Sequence, residues 1–215
     1  LEYSALGVAG LSFGFGGFEG LQWAIGSDTQ TSANEKSRAI GIKSSVIMSN
    51  GKPEPEVVQR MMNEGMFTLT GKKTVADAWR TFFTPDDNVG IKIKPIGGVK
   101  LSTQPEVVNA IIRGLTAAGV KENNIIVYDR FSYHLIKAGF PLNQGSSGVR
   151  CYGTEPTAGY DKKIYYESLD DEYSLHQDDG ARSLFSTIVT QHVPTIINSK
   201  SQTYCHRGEK GMGCL

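Results

Sequence analysis

Asn88-Val-Gly-Ile-Lys-Ile-Lys-Pro95, Ile96-Gly-Gly-Val-Lys-Leu-Ser102, Thr103 to Gly119 and Ile125-Ile-Val-Tyr-Asp129 follow one another as a strand, a glycine-bearing loop, a helix and a second strand. That order predicts two parallel strands joined by a right-handed crossover, in an α/β domain with a mostly parallel open sheet. In such sheets ligands gather at the carboxyl ends of the strands. Here those ends carry Lys94, Asp129 and Arg130.

Several signals support the helix. Thr103-Gln-Pro-Glu106 has the spacing of a capping box, in which the Thr hydroxyl accepts from the backbone N–H near Glu106 and the carboxylate reaches back. Pro105 suits a first turn, where its missing N–H has no intrahelical partner. Val107, Val108, Ile111, Ile112, Leu115 and Ala118 recur on one face, and Gly119 supplies the stop. Burying four or five such side chains stabilises by on the order of 10 kcal/mol before chain entropy is subtracted.

Working outward, Ser45 to Ser49 reads as a short strand. Pro53 to Met66 reads as a helix with Val57, Val58, Met61, Met62 and Met66 on one side, and Thr74 to Phe83 as another carrying Trp79, Phe82 and Phe83. Beyond the central unit come a helical turn at Tyr133 to Ala138 and short strands at Gly148 to Tyr152 and Lys163 to Tyr166. A helix at Ala181 to Val193 and a strand at Thr195 to Asn198 complete the expectation. Pro-Glu-Val-Val occurs at Pro55 and again at Pro105, which fits two helices sharing a favoured opening better than an internal repeat.

The 215 residues have room for one such domain, and the charges balance at 22 basic against 22 acidic. That balance leaves no electrostatic footprint for nucleic acid or an anionic membrane. No apolar stretch is long enough for a bilayer span. Three cysteines, Cys151, Cys205 and Cys214, make neither a C-x-x-C pair nor a disulfide framework.

Residues 1–30 differ in character: Ala5-Leu-Gly-Val-Ala-Gly-Leu-Ser-Phe13 is small, mildly apolar and uncharged, and a polar tract runs from Ser27 to Ser37. An ordinary first helix or packed loop is one reading. The other is an export leader, since Leu1 to Leu11 resembles the segment that follows the arginine pair of twin-arginine secretion signals. The expected organisation is a truncated leader over residues 1–30, a linker over 31–44 and an α/β domain over 45–215 that continues past the C-terminus, with a periplasmic or cell-surface location.

For chemistry, Asp129 and Lys92 are the candidate catalytic pair. Lys94, Gly97, Gly98, Lys100 and Arg130 are candidate substrate-binding residues. Two glycines permit close backbone approach, a helix start offers free N–H groups, and Arg130 adds a bidentate donor for carboxylate or phosphate. The competing reading makes the lysines solvated rim charges and pairs Asp129 with Arg130 locally. Asp129, Ser132 and His134 include triad residue types without a nucleophile-elbow pattern. Cys205, His206 and Cys214, with His192, form a weak metal candidate whose spacing matches no standard zinc arrangement, and a Cys205–Cys214 disulfide is its rival. His176 reads as a surface residue.

From about Ser45 to Asn198 the chain resembles the bacterial and archaeal family catalogued as domain of unknown function 362. The likeness lies in Asp86 to Gly98, Thr103 to Val108, Ala118 to Arg130 and Ala138-Gly-Phe140. It implies an α/β fold and, since many exported members carry twin-arginine leaders, export. Family members often have Asn where this chain has Lys94, and their late motifs align only loosely with Asn198 and His206. Through that alignment Asn198 joins the candidate binding residues. The cysteine-rich iron–sulfur segments of some relatives have no counterpart here. Two function classes stay open: an enzyme acting on a small anionic substrate at the strand ends, and a non-catalytic exported binding or redox-partner module using the same cleft.

Overall fold

Two helices with the same opening words flank the first sheet strand. The computed structural model describes residues 39–49, 51–167 and 182–200. A minimal antiparallel hairpin, β1 (Met48–Ser49) and β2 (Lys52–Pro53), leads into α1 (Pro55–Thr70). The first strand is thus shorter than the expected Ser45 to Ser49. After α2 (Val75–Arg80) come β3 (Val89–Ile93), the short α3 (Gly98–Leu101), α4 (Pro105–Ala118) and β4 (Ile125–Phe131). Then follow α5 (Ser132–Lys137), β5 (Arg150–Glu155), the antiparallel pair β6 (Tyr160–Glu167) and β7 (Arg182–Ser186), a π-helical turn (Ile188–His192) and β8 (Thr195–Ser199).

The central sheet has four strands in the order β5-β4-β3-β8, all parallel. The chain lays β4 and then β5 outward on one side of β3, then returns to place β8 on the other side. This reversal is a topological switch point, and it falls between β3 and β8. A single α/β domain is the result.

One face of the sheet carries Val89, Ile91 and Ile93 with Ile125 and Val127, buried against Val58, Met62 and Met66 of α1, Trp79 of α2 and Val108, Ile111 and Leu115 of α4. Gly114 permits the closest helix approach: a Cβ there would lie 2.0 Å from Cε2 of Trp79. The other face carries Ile126, Tyr128 and Tyr152 under Ile188 and Val193. Gly90 makes room for that second layer, since a Cβ would meet Val193 at 2.6 Å and Tyr128 at 2.9 Å. Both Pro-Glu-Val-Val stretches open a helix with Pro in its first turn, and both helices stop at a left-handed glycine, Gly71 and Gly119. Among the described residues no helix is long and apolar enough to cross a membrane.

Two local expectations are corrected. The capping box does not form: Gln104 is the N-cap of α4 without a side-chain cap bond. The Thr103 hydroxyl instead donates to the Ser199 carbonyl at 2.8 Å and accepts from the Lys94 N–H at 3.2 Å. A strand arriving from 96 residues away outcompetes a local cap. The helix expected from Ala181 to Val193 is, from Arg182 onward, strand β7 followed by the π-helical turn. Its Ser, Thr, Ile and Val residues favour helix only weakly, and the partner strand β6 decides the conformation.

Candidate functional site

Register at the switch point sets Asn198 of β8 beside Lys92 of β3, and Lys92 beside Tyr128 of β4. Because side chains alternate along a strand, these three share the face opposite the helix-packed core. Near the carboxyl edge the Lys92 ammonium donates to the Asp129 carboxylate and to the Ile93 carbonyl at 3.1 Å. The Lys92 side chain is 28% exposed and that of Asp129 14%, so this pair sits at the rim of the core rather than on the open surface. An ammonium has three N–H donors, and two are accounted for by these bonds.

Asn198 adds a second feature. Its Oδ1 is buried and has no hydrogen-bond partner among the described residues. Leaving such an acceptor unsatisfied costs about 1–3 kcal/mol, a cost that a ligand donor placed there would remove. Tyr128 borders the same spot, and burial, followed by the negative charge of Asp129, pushes its phenol well above the ordinary value. The hydroxyl therefore stays protonated.

The remaining expected residues arrange themselves around this core. Lys94 is fastened by its backbone, its N–H bonded to the Thr103 hydroxyl and its carbonyl accepting from the Thr103 N–H at 3.2 Å. Gly97 and Gly98 form the turn into α3, with Gly98 at φ +62°, and Lys100 is exposed on that helix. Arg130 turns toward β5: its Nε donates to Glu155 at 2.9 Å, and its guanidinium lies 4.6 Å from the Phe131 ring centre. Glu155 also accepts from the Tyr160 hydroxyl. The bonds from Tyr160 and then Arg130 hold the Glu155 carboxyl below its usual range. Asp129 accordingly pairs with Lys92, from the neighbouring strand, and the local pairing with Arg130 is corrected.

Ser132 is a buried structural hydroxyl that accepts from the Gly153 N–H at 2.9 Å, and His134 packs against Phe131 and Tyr133. Cys151 is buried and its thiol is pushed up to about 12 by desolvation, which leaves it unreactive. Cys205, His206, Cys214 and His176 lie outside the described residues, as do residues 1–38 with the expected leader. Among the described residues no group of three or more His, Cys, Asp or Glu side chains could hold a metal.

Residue patterns alone missed Tyr128 and Thr103 as parts of this edge. Only the β3–β4 register brings in Tyr128, and only the hydrogen bonds to Lys94 and Ser199 bring in Thr103. Comparison with protein-family models, with characterised proteins and with solved structures found no match for this chain.

Proposed function

We propose that this chain is an exported protein, of the kind implied by its resemblance to the domain of unknown function 362 family, that takes a small anionic substrate at the carboxyl edge of its sheet. The observation that carries this reading is the Asn198 amide oxygen, without a partner among the described residues, on the strand next to the Lys92–Asp129 pair at the switch point. Open α/β sheets bind ligands at such points. The remaining Lys92 N–H would take the anion and Asn198 a hydroxyl or amine on the same ligand. Asp129, held in place by its bond to Lys92, would be the proton acceptor. Lys94, Lys100 and the Gly97-Gly98 turn follow β3 on the same edge and add positive charge and backbone donors.

Calorimetric titration with inorganic phosphate and with small hydroxy-dicarboxylates tests this. Lys92→Ala and Asn198→Ala should each weaken binding about ten- to a hundredfold, the loss of one charged or fully buried hydrogen bond. Arg130→Ala should matter less, because Glu155 already holds that guanidinium. No binding by the unaltered chain at millimolar ligand would sink the proposal. The Lys92–Asp129 bond itself favours a second reading, a non-catalytic binding module. Turnover separates the two: chemical conversion of the bound ligand that is lost in Asp129→Asn while binding persists marks an enzyme, and binding without conversion marks the module.

A further inference from the structure

Two short helices at the carboxyl edge carry a concentration of exposed apolar side chains. Ile96, Val99 and Leu101 at and around α3, and Tyr133 and Ile136 on α5, are each more than half exposed. The helices are neighbours, for a Cβ added at Gly98 would lie 3.8 Å from the Lys137 carbonyl. On α5 the buried residues are Ser132 and Leu135, which leaves Tyr133 and Ile136, three apart, on the outer side.

The two segments that build this surface contribute charge of one sign. Residues 96–105 and 131–154 contain no Asp or Glu, in a chain whose charges otherwise balance. Lys100 stands between Val99 and Leu101, and Lys137 follows Ile136 with its ammonium 5.6 Å from the Tyr133 ring centre. Both lysines are exposed.

We infer that this surface docks on an anionic lipid bilayer. Lysine is depleted from the centres of protein–protein interfaces, yet here Lys137 lies against the exposed Tyr133 ring and Lys100 shares the short helix of Val99 and Leu101. At a bilayer surface that combination is favourable: aliphatic groups enter the acyl boundary, lysine stems lie along it, and ammonium groups reach the headgroups. An exposed tyrosine suits the same interface. The surface shares Lys100 with the proposed anion site, and Leu101→Ser/Ile136→Ser, which leaves every residue of that site in place, separates the two.

The test is co-sedimentation of the full chain with vesicles of phosphatidylcholine alone and of equal parts phosphatidylcholine and phosphatidylglycerol. Binding is expected to the second composition, to fall with added salt, and to drop at least about tenfold in Lys100→Glu/Lys137→Glu and in Leu101→Ser/Ile136→Ser. Should either variant melt early, amide exchange on the unaltered chain decides: anionic vesicles should slow exchange within residues 96–102 and 132–138. The inference fails if anionic vesicles are not bound, if both compositions are bound equally, or if folded variants bind as before. It also fails if exchange slows only elsewhere in the chain, residues 1–38 included. A dimer abolished by Leu101→Ser/Ile136→Ser would assign the surface to a second copy and overturn the lipid assignment.

Discussion

Asn198 holds a buried amide oxygen with no partner among the described residues, on the strand next to an ammonium that has two. Such an acceptor costs stability unless a ligand donor satisfies it. Replacing an unsatisfied polar group with an apolar one of similar shape removes its desolvation cost. Asn198→Leu should therefore leave the unliganded protein as stable or up to about 2 kcal/mol more stable, while abolishing anion binding. Urea denaturation together with the calorimetric titration checks both halves, and a clear loss of stability would mean that Asn198 is structural. Lys92 shows the same tension, since its bond to Asp129 ties neighbouring strands together at the edge proposed for the ligand.

Elements in this fold are joined by a few close approaches. The tightest is between α2 and α4, where Trp79 lies against the backbone of Gly114. Gly114→Ala would drive a methyl group into the indole ring, and since Trp79 is fully buried it has nowhere to retreat. A loss of about 2–4 kcal/mol is expected, larger than the usual overpacking cost, because two helices must part. Thermal or urea unfolding of the variant reads this directly. A second joint ties β6 to the π-helical turn. The Asp161 carboxylate accepts from the Lys163 N–H at 2.9 Å, from Thr190 at 2.8 Å and from Gln191 at 3.3 Å. The Lys163 backbone bond first, then the Thr190 hydroxyl, hold its pKa below the ordinary carboxylate value. A carboxyl lowered on folding stabilises above its unfolded pKa and loses that contribution as pH falls through the folded one. Acid should therefore loosen the β6–β7 layer below the usual carboxylate range, and Asp161→Asn should remove most of that pH dependence. Amide exchange of residues 160–164 against pH is the measurement, and identical profiles for both proteins would refute the assignment.

At the scale of the whole molecule, β3 is the innermost element. It pairs with β4 and β8 and is covered on one face by α1, α2 and α4, on the other by Val193 and the π-helical turn. Its amides and those of β4 should be the slowest to exchange, with α3 and α5 among the fastest, since the latter are helices of four and six residues with exposed apolar side chains. Uniform protection across these elements would contradict that layering. The carboxyl edge thus gathers the parts least committed to stability: the Asn198 acceptor, the glycine turn and the two short helices.

The strand–loop–helix–strand unit from 88 to 130 was legible because its signals are local. Apolar runs of strand length, a helical face at 3.6 spacing, prolines in first turns and glycines past last turns each act within a few residues. The parallel pairing of β3 with β4 follows from that order, and so does the placing of Lys94, Asp129 and Arg130 at strand ends. What local signals could not decide were the contests settled by distant segments. Thr103 gave up its cap for the Ser199 carbonyl, and the stretch from Arg182 became a strand because β6 lay beside it. Asp129 took Lys92 from another strand while its sequence neighbour Arg130 went to Glu155. Above all, nothing near Asn198 says that it returns to β3. Pairing energy between segments about a hundred residues apart depends on which edge of the sheet is still open when the chain comes back, and that is a property of the assembled fold alone.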